Sequence, residues 1–431
     1  YVWANTIALS LCDKVTELLS VTFSILLRNL EKPIPVGAPL SNKRLIALKN
    51  SMSGLYLHIP FCKKACHYCN FHFSTSMRYA DDMVAAIQQE IRLRKQDAII
   101  PIETIYFGGG TPSVLSPAQL QLLIDEVNQC YDLVKNPEIT LEANPDDLSK
   151  AYMRDIEKLG INRLSIGVQS FLDDELTLMN RAHNGSQAIS SVQDAKAIFN
   201  NLSIDLLFGN PNTTLDNWKQ NLDYALQLDV PHISSYALTL EPKTALERFV
   251  DKGVVSLLDE QLVEAQFNYL VDTLTARGYD HYELSSFGKP GYHSRNNTGY
   301  WQGKTYLGIG PSAHGFDGVH RYWNASNNAN YMQKITQGEL PQTIEKLSVI
   351  DRYNESIMIG LRASWGVSLQ AMESNLGLRY RQHLEEQAQR FIEEGLLHIE
   401  NNALKTTRSG AFLADGISAD LFLIDLLGAS S

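Results

Sequence analysis

Tyr56-Leu-His-Ile-Pro-Phe-Cys62-Lys-Lys-Ala-Cys66-His-Tyr-Cys69-Asn-Phe71 places three thiols within eight residues, directly behind a run that reads as a strand. Pro60 and Phe61 end that run, so the C-x3-C-x2-C spacing falls in a tight loop that can turn three sulfurs toward one point. Thiolates are soft ligands and suit an iron–sulfur cluster or zinc. Zinc would need His67 or His72 to complete its set, and zinc sites usually come as two C-x2-C halves. No second half exists in this sequence. Three cysteines leave one iron of a [4Fe-4S] cluster open to a chelating ligand, and Cys62, Cys66 and Cys69 are the expected metal ligands.

Only two further cysteines occur, Cys12 and Cys130, and both are isolated. That is no secreted disulfide framework; it fits a reducing, cytoplasmic setting. The net charge of -11 argues against a broad nucleic-acid-binding face. No stretch approaches the roughly 20 apolar residues of a membrane span. The apolar run Leu18 to Leu27 is short and follows Asp13, Lys14 and Glu17, the wrong charge order for a signal peptide.

Working outward, strand-like runs recur at Leu55-Ile59, Thr104-Phe107, Glu138-Glu142, Arg163-Val168, Ser203-Leu207, His232-Leu240 and His281-Ser285, with helical patterns between them. Ser116-Pro117 opens one helix as N-cap and first residue. Asp146 or Asp147 is the expected cap of the next, which stops at Gly160. Alternating strands and helices imply an α/β fold with a parallel sheet and right-handed crossovers, a whole or partial (β/α) barrel. In such barrels the chemistry sits at the C-terminal ends of the strands. Residues 52–335 are assigned to it. Residues 336–431 turn helical (Glu345-Leu361, Ser368-Asn375, Tyr380-Glu394) and close on short strands, a winged-helix-like domain. Residues 1–51 lack the rhythm and are broken by Pro33, Pro35 and Pro39. They read either as non-native, with Met52 the start, or as a partly helical extension.

The stretch Tyr56 to Phe71 resembles the radical S-adenosylmethionine (SAM) family of oxygen-independent coproporphyrinogen III dehydrogenases, and most of all its heme chaperone branch. The resemblance runs from about residue 54 to the C-terminus, where it implies a HemN-type domain. The dehydrogenases carry a fourth cysteine two residues after the third. Here that position is Phe71, which favours the chaperone branch.

The resemblance implies SAM as a second cofactor, chelated at the open iron, whose reductive cleavage yields a 5′-deoxyadenosyl radical. Gly108-Gly109-Gly110-Thr111-Pro112 ends the second strand, where glycines let backbone N–H groups approach a carboxylate. By resemblance Gly109, Gly110 and Thr111 hold the methionine part, Glu142 contacts SAM, and Tyr56 belongs to the same pocket. Gln169, Arg181 and Asp205 match polar residues lining the SAM region, where a second SAM binds in the dehydrogenases. Ala237 offers backbone groups to the adenosine. No residue is assigned a catalytic role.

The branch typically carries His-Asn-x-x-Tyr-Trp. The matching stretch is Asn296-Asn297-Thr-Gly-Tyr300-Trp301, with Asn296 in place of the His. A carboxamide is a poor axial ligand for heme iron, so His293, His281 and His314 are the alternatives. The implied function is to bind heme and pass it to an acceptor protein. A reductant for the cluster is a further partner, nucleic acid is not, and contact with a membrane would be peripheral, through the acceptor. The competing expectations are oxidative decarboxylation of coproporphyrinogen III and a zinc-stabilised binding protein.

Overall fold

Six strands, β1 (Ser53–Ile59), β2 (Ile102–Gly109), β3 (Leu133–Ala143), β4 (Arg163–Gln169), β5 (Asn201–Phe208) and β6 (His232–Ala237), pair in parallel in sequence order. The computed structural model describes residues 53–98 and 100–424, so the expectations for residues 1–51 and Met52 lie outside the described residues.

Period-two alternation explains why these strands build a barrel wall. In β1, Leu55, Leu57 and Ile59 point into the core shared with the surrounding helices, while Tyr56 and His58 face the other way. Each core Leu or Ile contributes about 1.5–3 kcal/mol when fully buried. The opposite face is polar along the whole sheet, with Tyr106, Glu142, Ser165, Asp205 and Ser234 on it.

The helices start where their capping residues say. Ser116 caps Pro117–Cys130 in a reciprocal box with Gln119, and Asn184 caps Gly185–Lys196 likewise with Gln187. The expected cap at Asp146 or Asp147 is corrected. Ser149 caps Lys150–Lys158, and the two aspartates sit in the turn before it, Pro145–Asp147. Gly160 follows that helix with φ +90°, a left-handed conformation suited to glycine.

The seventh strand-like run differs from expectation. His281-Ser285 is an antiparallel hairpin of β7 (Asp280–Glu283) and β8 (Ser286–Gly288), and β8 pairs antiparallel with β6. β6 itself stops at Ala237, three residues short of the expected Leu240. The other edge carries strands not anticipated. β9 (Tyr306–Ile309) runs parallel to β1, and β10 (His314–Phe316), β11 (His320–Asn324) and β12 (Gln342–Lys346) continue antiparallel. The sheet order is β12-β11-β10-β9-β1-β2-β3-β4-β5-β6-β8-β7, so the barrel is partial and open. Residues 335 and 336 end the helix Asn328–Thr336, which lies between β11 and β12 in the chain.

A second, smaller core gathers Tyr353, Ile357, Leu361, Leu384 and Leu404 between the helices Val349–Leu361, Leu369–Leu376 and Leu378–Glu393. β13 (Val367–Ser368), β14 (Leu397–Glu400) and β15 (Ala403–Thr406) form the wing, in the order β13-β15-β14. Among the described residues no helix is long and apolar enough to cross a membrane.

Candidate functional site

The cysteine loop leaves β1 at the C-terminal end of the sheet and is tied down from four sides. Cys62 N–H donates to Ser74 O at 3.0 Å, and His67 N–H donates to Met179 O at 3.1 Å. Asn180 Nδ2 donates to Ala65 O at 2.8 Å, and Leu246 N–H donates to His67 O at 2.8 Å. Lys63 pairs with Asp146 at 3.0 Å and also with Asp147, which accepts the Ser113 hydroxyl at 2.6 Å.

All three thiols are partly buried and lie within electrostatic reach of one another. Burial pushes the Cys62 thiol up to about 11, against the Thr111 hydroxyl that favours its thiolate. Burial likewise pushes Cys69 up to about 12, opposed by the Phe71 backbone N–H. The loop thus keeps the Cys62 and Cys69 sulfurs protonated until a cation takes them.

The zinc alternative fits poorly. His67 Nδ1 lies 2.8 Å from Leu178 O with its ring edge-on to Phe249, and His72 Nε2 is bonded to Asn328 Oδ1 at 2.7 Å. Three thiols from one clamped loop, with the neighbouring histidines engaged elsewhere, fit a four-iron cluster.

The glycine turn lies against this loop. Gly110 N–H donates to Ile59 O at 2.9 Å and Thr111 N–H to Phe61 O at 2.6 Å. A Cβ on Gly110 would stand 2.5 Å from Phe61 O, so the close approach requires glycine there. Gly109 adopts φ +113°, and a Cβ on it would meet the His58 ring at 2.8 Å.

Arg181 reaches in from the segment after the helix Asp173–Leu178. It donates to Cys66 Sγ at 3.3 Å, to Asn144 Oδ1 at 2.6 Å and to Gly167 O at 2.6 Å. Its Nε is buried with no hydrogen-bond partner, a donor left open for a ligand. Gln169 ends β4 with φ +66°, where the pairing with β5 shifts register. That strained backbone turns its amide toward Gly167, where a Cβ would stand 2.9 Å from Gln169 Nε2 and 3.3 Å from Arg181 Nη2.

Below this rim Glu142 accepts the Tyr106 hydroxyl at 2.8 Å, and Asp205 accepts the Ser165 hydroxyl at 3.3 Å. Tyr56 OH and His58 Nδ1 are 3.2 Å apart. Ala237 closes the row at the end of β6. The expected residues therefore share one end and one face of the sheet. Sequence reading missed His58 and Asn144. His58 was legible by alternation from Tyr56, and Asn144 by its place two residues after Glu142, just past the end of β3.

Burial raises the Glu142 carboxyl from 4.5 to about 7, against the Tyr106 hydroxyl and the Gly109 N–H that favour its anion. The folded chain then holds this proton more tightly than the unfolded one. Stability contributed here falls as pH rises from about 4.5 to about 7 and is level above that. Glu142→Gln is expected to flatten this window in urea midpoints measured across pH. An unchanged slope would place the titration on another group.

The heme segment is not part of this rim. Asn296 is 4% exposed, and its Oδ1 accepts the Thr104 hydroxyl at 2.8 Å. The N–H groups of Arg295 and Asn296 both donate to Glu138, each at 3.2 Å. Thr104 lies at the start of β2, five residues from Gly109, about 17 Å at a strand's rise. Tyr300 packs edge-on to Tyr306 at 4.5 Å, and the Arg362 guanidinium lies over Trp301 at 5.4 Å. The helix Arg295–Trp301 therefore wedges the barrel floor against the C-terminal domain, at the end opposite the cysteines.

Of the other histidines, His281 is stacked on Phe287 at 4.3 Å and bonded to Leu284 O. His293 is stacked on Tyr282 at 4.2 Å and bonded to Asp280. The His314 ring lies beside Trp323 at 6.0 Å, and burial lowers its pKa to about 4.

The radical SAM superfamily matches residues 56–225, and the HemN C-terminal domain matches residues 347–413. The chain is 33% identical to the heme chaperone HemW of Bacillus subtilis (strain 168), over 85% of this chain and 98% of that one. It is 33% identical to the heme chaperone HemW of Lactococcus lactis, over 86% and 97%. Coproporphyrinogen III oxidase (HemN) from Escherichia coli, a radical SAM enzyme, shares the fold with a TM-score of 0.75 at 21% identity, over 89% of this chain and 94% of that one.

Proposed function

We propose, for a chain that belongs to the heme chaperone HemW family within the radical SAM superfamily, that it binds heme and delivers it to an acceptor protein. The reading rests on one observation above the others. Phe71 stands where the dehydrogenases carry a fourth cysteine, in a chain related to heme chaperones along nearly their whole length.

In this reading Cys62, Cys66 and Cys69 hold the [4Fe-4S] cluster, which when bound supplies a one-electron centre with an open iron. Gly109, Gly110 and Thr111 on the same rim and Glu142 just below it frame SAM, with Tyr56, Gln169, Arg181, Asp205 and Ala237 around them. The glycines admit the ligand's polar end, and Arg181 Nε offers it a donor. An external one-electron donor, a cytoplasmic setting and a peripheral, acceptor-mediated membrane contact belong to the same proposal. So does the division at residues 51 and 335.

Asn296 is a floor residue, so the heme ligand is sought elsewhere. His314 is the choice, because among the described residues none hydrogen-bonds its ring nitrogens, whereas those of His281 and His293 are bonded to Leu284 O and Asp280. The test is an anaerobic heme titration of the cluster-loaded protein, read by visible absorbance. Saturable binding of a single heme, weakened at least tenfold in His314→Ala, is expected. Absence of binding, with decarboxylated porphyrinogen and 5′-deoxyadenosine formed from coproporphyrinogen III, would replace this reading by the dehydrogenase one.

A further inference from the structure

We propose that Asn144 sets the reduction potential of the cluster by joining Arg181 and Thr111 into one arch that donates hydrogen bonds to two of its three cysteines. The inference rests on the cluster reading above and adds a positioning residue to it.

The arch can be followed atom by atom. Arg181 Nη1 donates to Cys66 Sγ at 3.3 Å. The other terminal nitrogen, Nη2, donates to Asn144 Oδ1 at 2.6 Å. Asn144 Nδ2 donates to Thr111 Oγ1 at 3.2 Å, and the Thr111 hydroxyl donates to Cys62 Sγ at 3.4 Å. Every donor and acceptor runs in one consistent sense. The guanidinium has no acceptor to offer, so Asn144 must present its oxygen to Arg181 and its NH2 to Thr111. With its oxygen lone pair accepting from Asn144, Thr111 has its single proton free for sulfur.

The backbone holds Asn144 in this role. It precedes Pro145 and is extended, at φ -94° and ψ 148°, the region a residue before proline prefers. Its N–H donates to Ser113 Oγ at 3.2 Å, and Ser113 is in turn bonded to Asp147, the partner of Lys63 in the cysteine loop. Asn144 is thereby fixed relative to the loop whose sulfurs it serves.

Hydrogen bonds to ligand sulfurs, and a nearby positive charge, favour the more electron-rich state of an iron–sulfur cluster and raise its potential. Arg181 supplies both at Cys66, and Thr111 supplies a bond at Cys62. Removing Asn144 loosens both at once without touching a ligand.

The experiment is a mediated dithionite titration of the full-length, anaerobically reconstituted protein without SAM. Uptake of one electron by the cluster is followed by electron paramagnetic resonance, with iron and sulfide assayed in parallel. Asn144→Ala is expected to keep the parent's iron and sulfide. Its ratio of reduced to oxidised cluster at the parent's midpoint should fall about tenfold, 59 mV for one electron. Thr111→Val should shift the midpoint in the same direction by less, and the double variant by less than the sum. Full iron and sulfide with an unmoved midpoint in Asn144→Ala would overturn the inference and leave the cluster reading intact. If Asn144→Ala fails to assemble, Thr111→Val alone decides, and an unmoved midpoint there overturns it. A parent protein that takes up no iron and sulfide would sink the cluster reading first.

Discussion

Cys66→Ala is expected to abolish the brown absorbance of the reconstituted protein and to drop its iron and sulfide to background. The structure says why no substitute is at hand. A four-iron cluster with one open iron already uses every protein sulfur it has, so losing one leaves two anchors. Of the described cysteines outside the loop there is only Cys130, at the end of the helix Pro117–Cys130, where its thiol lies 3.5 Å from Glu126. The histidines of the loop are engaged with Leu178 O and Asn328. Cys130→Ala is therefore the control and should retain the full cluster. Iron and sulfide assays read both variants, and a full four-iron cluster in Cys66→Ala would refute the assignment. Because the loop is held by bonds from Ser74, Met179, Asn180 and Leu246, the variant should remain folded.

Glu90→Ala should be the most damaging change outside the site, with a loss of about 3–5 kcal/mol, the range for a buried ion pair that loses one partner. Glu90 is fully buried in the helix Ala80–Leu93 and satisfies four donors. One oxygen accepts from Arg94 at 2.8 Å and Asn324 at 2.7 Å, the other from Gly310 N–H at 2.8 Å and the Tyr331 hydroxyl at 2.7 Å. Arg94 is itself 2% exposed and lies over the Tyr322 ring at 4.2 Å. Removing the carboxylate leaves Gly310 N–H and the Tyr331 hydroxyl unpaired and takes from Arg94 its fully buried partner, leaving it Asp97, Asn324 and Gln342; each unpaired buried group costs about 1–3 kcal/mol. Urea unfolding monitored by circular dichroism gives the number. A loss below about 1 kcal/mol would mean that the edge formed by β9 to β12 does not depend on this clasp.

β1 to β5 were legible because alternating apolar residues, such as Leu164, Ile166 and Val168 in β4, recur between capped helices. β6 was read too long because Leu238 and Leu240 continue its apolar character, although Leu238 N–H already turns back to Phe208 O. The hairpin at Asp280–Gly288 was invisible as a hairpin, since strands of four and three residues carry too little periodicity to show their reversal. β9 and β10 were not anticipated as strands, because β9 pairs with β1, which lies far away in sequence. The cysteines and the Gly-Gly-Thr turn were legible because their chemistry is local. Which end of the barrel Asn296 would occupy was not, because that depends on Glu138 and Thr104, more than 150 residues upstream.

The pairing of β9 with β1 also has a meaning in time. β1 acquires β2 as soon as about fifty residues have followed it, but its other edge stays bare until residues 306–309 leave the ribosome. At about 5–20 residues per second, that delay of roughly 250 residues lasts some 12–50 seconds. During synthesis the cysteine loop therefore hangs from a half-covered strand, and a bare edge invites pairing with another nascent chain. Lengthening that interval with slow codons before residue 306 would fall on aggregation before it fell on the cluster.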